Sequence, residues 1–208
     1  MVAMIERILT IYVVYLLAAM SPGPAVLYVM RASVGSRGSG LRAALGVATG
    51  TALWVCVAAM GLSAILRDSP HLTSGISAVG GAYFLFLAWK LGRSAATVES
   101  AGVPKFIPRS LSAVYTQGVA TNVANPGTAL FFTALLGLYN VQNMSLSAQF
   151  AVYCGIPVLS VGWYSGLSHA FSDSRLSRAY LHLRRPLDGA LAMLFVFLGI
   201  KLLGSGRF

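Results

Sequence analysis

Two proline-containing motifs stand at matching positions in the two halves of the chain. They are Ser21-Pro22-Gly23-Pro24 and Asn125-Pro126-Gly127, and their first prolines lie 104 positions apart in a sequence of 208 residues. Proline has no backbone N–H, and its ring clashes with the carbonyl four residues earlier in a helix. We therefore expect each motif to interrupt a helix and to release backbone carbonyls from hydrogen bonding. The released carbonyls would be those of Ala18, Met20 and Asn122.

The same interruptions would supply hydrogen-bond donors. A new helix begins after each motif, and helix N-termini attract anions through their N–H groups and their dipole. Carbonyl acceptors and amide donors in one place suit a zwitterion, whose ammonium donates and whose carboxylate accepts. The alternative is a pair of kinked helices whose gaps are filled by water or hydroxyl groups. The candidate binding residues are Ala18, Met20, Ser21, Pro22, Gly23, Pro24, Asn122, Asn125, Pro126, Gly127 and Thr128.

The composition indicates an all-α membrane protein. Hydrophobic residues make up 57% of the chain and charged residues 10%, whereas soluble domains carry about 25% charged residues. Four uncharged stretches are 21 to 63 residues long, and a spanning helix needs about 20 apolar residues. The alternating pattern of a membrane β-barrel is absent. The longest stretch divides into two spans at a polar turn, and a last apolar run follows Pro186. The sequence thus predicts six transmembrane helices, near 7–33, 41–66, 72–93, 111–138, 146–170 and 186–204, with the proline motifs in the first and fourth.

Three segments outside this pattern also have predicted forms. Residues 1–20 resemble a cleavable signal peptide, but the apolar run continues to Val34, so we expect the segment to stay as part of the first helix. Residues 94–110 contain two prolines and are expected to form a loop. Residues 172–185 alternate basic and apolar side chains, which is typical of a short helix on an anionic membrane surface.

The formal net charge of +10 is distributed unevenly along the chain. Basic residues concentrate in the first, third and fifth connections, within 31–42, 90–109 and 175–185. This positive-inside distribution predicts that those connections are cytoplasmic and that both termini lie on the opposite side. No basic patch interleaved with aromatic residues indicates nucleic-acid binding. The lipid bilayer is therefore the expected surrounding of the chain, and nucleic acid is not an expected partner.

The two halves resemble copies of one three-helix unit within a single domain that spans the chain. Gly61-Leu62 near the end of the second predicted helix corresponds to Gly166-Leu167 near the end of the fifth. Three spans are an odd number, so the second copy must enter the membrane from the opposite side, as in many secondary transporters. The predicted inverted repeats cover about 1–95 and 111–208, joined by the cytoplasmic connection at about 94–110.

Glycine pairs four residues apart occur in the second and fifth predicted helices. They are Gly46/Gly50 and Gly162/Gly166. Small residues at this spacing let helix backbones approach closely in lipid. We expect both pairs to pack inside the bundle, and the alternative is an interface in a homodimer.

The proline motifs and the glycines of the second helix together resemble the LysE/RhtB family of amino-acid exporters. The motifs that carry the resemblance are Ser21-Pro22-Gly23-Pro24, Gly46 to Gly50 with Gly61-Leu62, and Asn125-Pro126-Gly127. The similarity covers almost the whole chain in length, helix pattern and motif order. It implies a secondary transporter that exports amino acids across the bacterial inner membrane, coupled to protons. The predicted topology then places both termini in the periplasm, and inverted repeats imply alternating access.

The acidic residues distinguish this chain from family members that export basic amino acids. Those exporters carry acids within their membrane helices, whereas here all five acids fall near predicted helix ends or in loops. Phe131 occupies the position six after Asn125, where those exporters place an acid. A cationic substrate would lack a buried counter-charge in this bundle. We therefore expect a neutral or small polar substrate, such as homoserine, threonine or a branched-chain amino acid.

Proton coupling generally uses an intramembrane carboxylate or histidine. The two candidates for a proton relay are His169, near the end of the fifth predicted helix, and Asp188, near the start of the sixth. Alternatively, His169 is an interfacial side chain paired with backbone or water. Asp188 could instead be an acid that simply stabilises a helix N-terminus.

Two other classes of function compete with a carrier. A passive channel would be built from charged or carbonyl rings in an oligomer. A membrane-embedded enzyme would need a nucleophile with a base or a metal cluster. The sequence has no His/Glu metal motif, and Ser165 and Ser168 near His169 are too weak a signal for a catalytic triad. We therefore expect no enzymatic activity, no metal and no cofactor. The aromatic residues that either line a cavity or pack between helices are Tyr12, Tyr15, Tyr28, Trp54 and Trp163.

Overall fold

The computed structural model describes residues 2–21, 23–66, 70–96 and 110–205. Within these ranges every regular element is helical, which confirms the predicted all-α class. In chain order, the elements of the described ranges are α1 (Val2–Met20), α2 (Pro24–Gly35), α3 (Arg37–Leu66), α4 (Pro70–Ala96), α5 (Leu111–Val123), α6 (Pro126–Leu138), a 3-10 turn (Val141–Asn143), α7 (Leu146–Phe171) and α8 (Ser174–Ser205).

Each proline motif separates two helices, as the sequence predicts. The first predicted helix is the pair α1 and α2, and the fourth is the pair α5 and α6. A proline opens each second member, Pro24 in α2 and Pro126 in α6. Proline is favoured there because the first N–H groups of a helix have no intrahelical partner. The axes of α1 and α2 differ by 59°, so the first motif is a bend as well as a break.

The last helix differs from its prediction. Residues 172–185 and 186–204 were expected as two segments, but α8 runs without interruption from Ser174 to Ser205 and includes Pro186. A proline inside a helix removes one backbone hydrogen bond, while the bonds of the turns on either side continue the helix. Asp188 therefore lies in the middle of α8, and its expected position at a helix start is wrong.

The helices pack as two neighbouring groups around the broken segments. α4 packs along α8, and α3 packs against both α5 and α7. Between α4, α6 and α8 lies a cluster of buried aromatic rings, in which Phe84 stacks on Phe195 at a centroid distance of 5.7 Å. Phe131 meets both rings edge-on. This cluster fixes α6, and hence the second break, against the last helix.

Close approach of α3 and α5 depends on glycine. A Cβ on Gly50 would lie 2.6 Å from Cβ of Asn122, and a Cβ on Gly46 would overlap the backbone of α5. The predicted internal packing of this pair is confirmed. It is wrong for Gly162 and Gly166, which are exposed on α7 with no atom within 4 Å of an added Cβ.

Three segments are long and apolar enough to cross a bilayer on their own, namely Arg37–Met60, Leu146–Phe171 and Pro186–Gly204. The bent pair α1 and α2 supplies a fourth span if it is counted as one. These findings cover the described ranges, and the predicted arrangement of six spans in two inverted repeats stays a prediction. The outward-facing side chains of α7 and α8, such as Phe150 and Met193, are strongly exposed and apolar, which suits contact with lipid.

The two glycine pairs give a matched test of helix packing. Gly46→Ala places a methyl group against the Tyr115 carbonyl of α5, so we expect a loss of about 1–3 kcal/mol in unfolding free energy. Gly162→Ala meets no neighbour, so the unfolding free energy should stay the same or rise slightly, because alanine favours helices. Thermal unfolding of both variants in one detergent checks this. Equal stability of the two variants would contradict the close contact between α3 and α5.

Candidate functional site

The two breaks open into one cavity of about 1200 Å³. All eight α-helices of the described ranges contribute to its wall, and the contribution of α7 is Tyr164. The predicted binding residues that line it are Ala18, Ser21, Gly23, Pro24, Asn122, Asn125, Gly127 and Thr128. Met20 does not contribute to the wall, and Pro22 and the side chain of Pro126 lie outside the described residues. Motifs that are distant in sequence are thus neighbours in the fold.

At the first break, the chain turns sharply and then starts α2. The amide of Ser21 donates to the Ala18 carbonyl at 3.1 Å, and the amide of Gly23 donates to the Ser21 carbonyl at 2.7 Å. The Ala18 carbonyl, expected to be released, therefore keeps one partner in the protein. Trp163 of α7 donates its indole N–H to the Ala19 carbonyl at 3.1 Å, which holds the end of α1 in place.

At the second break, Asn125 caps the new helix. Its Oδ1 accepts the Gly127 amide at 3.0 Å, and its carbonyl accepts the Thr128 amide at 3.0 Å. The carbonyl of Asn122 accepts the Asn125 amide at 3.2 Å and the indole N–H of Trp54 at 3.3 Å. The Gly127 and Thr128 amides and the Asn122 carbonyl are thus already hydrogen-bonded within the protein.

Tyr83 of α4 also reaches the second break. Its hydroxyl donates to the Gly127 carbonyl at 2.7 Å. A Cβ on residue 127 would lie 2.6 Å from that hydroxyl oxygen, so glycine is required for the approach. The second break is consequently held by side chains of α3 and α4 as well as by its own cap.

A group of buried polar side chains stands beside the breaks, formed by Tyr15, Thr51, Asn122 and Ser160; we call it the polar cluster. Asn122 Nδ2 donates to the Val47 carbonyl at 3.0 Å and to the Thr51 hydroxyl at 3.1 Å. Tyr15, Thr51 and Asn122 line the cavity. Thr51 and Ser160 carry no sequence signal, because each is a single hydroxyl in an apolar span, and only the fold brings them together.

Charged side chains line another part of the cavity wall. Arg31, Lys90 and Arg93 contribute to it, and the Nε of Arg31 is buried without a hydrogen-bond partner among the described residues. Asp188 also lines the cavity and is fully buried. The expectation that all five acids lie near helix ends or in loops is therefore wrong for Asp188. His169 is exposed at the end of α7 and lies outside the wall.

The predicted aromatic residues divide into two groups. Tyr15 and Tyr28 line the cavity. Tyr12 instead donates to the Ala151 carbonyl at 2.6 Å, and the two tryptophans hold the backbone at the breaks. No group of three or more potential metal ligands occurs in the part of the chain that the structure describes.

The family model described as LysE type translocator matches residues 16–206. The chain belongs to the LysE type translocator family. The family match confirms the resemblance carried by the proline motifs. It also confirms that the chain is a membrane transporter rather than an enzyme. No solved structure matches the chain significantly.

Curated relatives of this LysE translocator match along nearly its whole length. The "Threonine efflux protein" of Escherichia coli (strain K12) is 28% identical over 205 residues, covering 97% of this chain and 100% of that protein. The protein of the same name in Salmonella typhimurium is 27% identical over 199 residues, covering 94% and 97%. The "Uncharacterized membrane protein YahN" of Escherichia coli is 27% identical over 193 residues, covering 92% and 86%.

The cap of α6 provides a test of the second break. Asn125→Ala removes the acceptor of the Gly127 amide and should lower the unfolding free energy by about 1 kcal/mol. Asn125→Ser keeps a capping oxygen and should retain most of that stability. Thermal unfolding in detergent separates the two variants. If Asn125→Ser and Asn125→Ala lower the unfolding free energy equally, Asn125 does not stabilise the protein through its helix cap.

Proposed function

We propose that this LysE translocator exports a neutral or small polar amino acid, such as threonine, homoserine or a branched-chain amino acid, across the bacterial inner membrane. The observation that carries the proposal is the meeting of both helix breaks in one cavity. Interrupted helices in corresponding segments of two halves are a recurrent origin of transporter binding sites. The threonine efflux relatives support an amino acid as the substrate.

The first break would bind the substrate carboxylate. Ala25 and Val26, in the first turn of α2, contribute to the cavity wall, and the positive end of the helix dipole lies there. The ammonium would be held between the breaks by the Ser21 hydroxyl and by the Ala18 carbonyl, whose second lone pair stays available beside the Ser21 amide. The Asn122 carbonyl already accepts two N–H groups, so it is a poorer acceptor for the ammonium than the Ala18 carbonyl.

Alternating access is proposed from the predicted two-unit architecture. One break belongs to the first half of the chain and the other to the second, so rocking the halves as inverted repeats would expose the cavity to each side in turn. Arg31, Lys90 and Arg93 in the wall extend from the predicted cytoplasmic connections. The positive-inside rule then makes this arrangement a cytoplasm-facing state with periplasmic termini.

Asp188 is the proposed proton-coupling residue. It is the acid in the cavity wall of the described chain, and buried carboxylates form the relays of many transporters. A proton on Asp188 would change the charge of the wall as the substrate leaves. Three basic side chains share the wall with this one acid, so a lysine or arginine substrate is still disfavoured by repulsion.

Transport itself is tested in liposomes that contain the purified protein. Vesicles are loaded with labelled threonine, homoserine, leucine or lysine, and a pH gradient is imposed. We expect saturable efflux of the neutral amino acids, competition between them and at least about tenfold slower efflux of lysine, since a positive wall repels a cation. Efflux that does not saturate and ignores substrate identity would indicate a passive channel and refute the carrier.

Coupling is tested by Asp188→Asn, with Asp173→Asn as the control because Asp173 is exposed and outside the cavity. The Asp188 variant should lose the acceleration of efflux by a pH gradient while exchange of labelled for unlabelled substrate is still measurable. The Asp173 variant should respond to the gradient as the wild type does. A full response of the Asp188 variant would show that protons couple through another group.

A further inference from the structure

The polar cluster contains three buried atoms that lack a hydrogen-bond partner within the described protein. They are the Tyr15 hydroxyl, Asn122 Oδ1 and Ser160 Oγ. The side chains are 4%, 3% and 0% exposed, so bulk water does not reach them freely. Leaving such a group unpaired destabilises the fold. Tyr15 and Asn122 line the cavity, so their unpaired atoms indicate a place where a ligand completes the hydrogen bonds.

The orientation of the Asn122 amide is fixed by its neighbours. Nδ2 donates to the Val47 carbonyl, which can only accept, so the amide nitrogen and oxygen cannot be exchanged. Oδ1 is therefore a committed acceptor without a donor. The hydroxyls of Ser160 and Thr51 lie beside the Tyr15 hydroxyl, close enough to orient it.

The chemistry of the cluster favours a hydroxyl over a charged group. Asn122 Oδ1 requires a donor, and the hydroxyls of Tyr15 and Ser160 can each donate or accept. The four side chains are neutral, so an ammonium buried among them would pay a large desolvation cost without a counter-charge. An alkyl group would leave all three atoms unpaired. A hydroxyl donates to one atom and accepts from another without the desolvation cost of a buried charge.

We propose that the polar cluster is the subsite that recognises a hydroxyl on the substrate side chain. The substrate hydroxyl donates to Asn122 Oδ1 and accepts from Tyr15, and Ser160 orients the Tyr15 hydroxyl from the far side. This inference rests on the proposed export function and narrows its substrates to hydroxyl amino acids. A site built to bond a hydroxyl strongly rejects the analogue that lacks it, because the buried groups are then left unpaired.

Threonine and valine have nearly the same shape and differ in that hydroxyl, so they provide the test. In proteoliposomes, each labelled amino acid is loaded separately and initial efflux rates are compared. We expect the wild type to prefer threonine by about tenfold or more. Tyr15→Phe should lower the ratio of threonine to valine efflux by about tenfold, because it removes the donor and keeps the ring. Tyr153→Phe is the matched control, since Tyr153 is partly buried but outside the cavity.

Ser160→Ala supplies a second variant, with Ser165→Ala on the same helix as its control. It should also lower the ratio, by a smaller factor than Tyr15→Phe, whereas both controls should keep the wild-type ratio. If Tyr15→Phe and Ser160→Ala keep that ratio, the cluster holds a buried water only and the subsite is refuted. A wild type that exports both amino acids equally well also refutes the subsite and leaves the exporter intact. A wild type that exports no amino acid refutes the proposed function itself.

Discussion

An interrupted helix in a membrane protein exposes backbone groups that lipid cannot hydrogen-bond. The whole arrangement of this translocator follows from the need to pair those groups at two breaks. Trp163 holds the carbonyl of Ala19 at the first break, and Trp54 and Tyr83 hold the carbonyls of Asn122 and Gly127 at the second. These side chains come from α7, α3 and α4, so the breaks also fix how the helices pack around the cavity.

The two breaks differ in how far the protein itself completes their hydrogen bonds, despite their similar sequences. Asn125 uses both its side chain and its carbonyl to cap α6, and the Asn122 carbonyl has two donors. The second break is thus largely completed by the protein. Gly23 at the start of α2 has no side chain to act as a cap, which leaves the first turn of that helix directed to the cavity. This difference supports the proposal that the first break binds the substrate carboxylate and that the neighbourhood of the second recognises the substrate side chain.

Electrostatics of the cavity wall combine a basic surface with one buried acid. Arg31, Lys90 and Arg93 belong to the positive charge that marks the predicted cytoplasmic side, yet they also line the cavity. Such a wall attracts carboxylates and repels cationic side chains. Asp188, buried within the same wall, is a group whose protonation would alter this balance. Substrate preference and coupling would then depend on the same few charges.

The sequence by itself determined the helical class, the interruption of the first and fourth predicted helices and the family. Hydropathy and proline act locally, so their consequences can be read from a single segment. Only the tertiary structure decided that Asp188 is buried, because the helices packed around α8 determine which of its side chains face the cavity. Likewise, Gly46 and Gly162 have the same local pattern, and only packing made one a contact and left the other exposed. The polar cluster contains one residue from each of four helices, and no local sequence pattern indicates that these residues lie together.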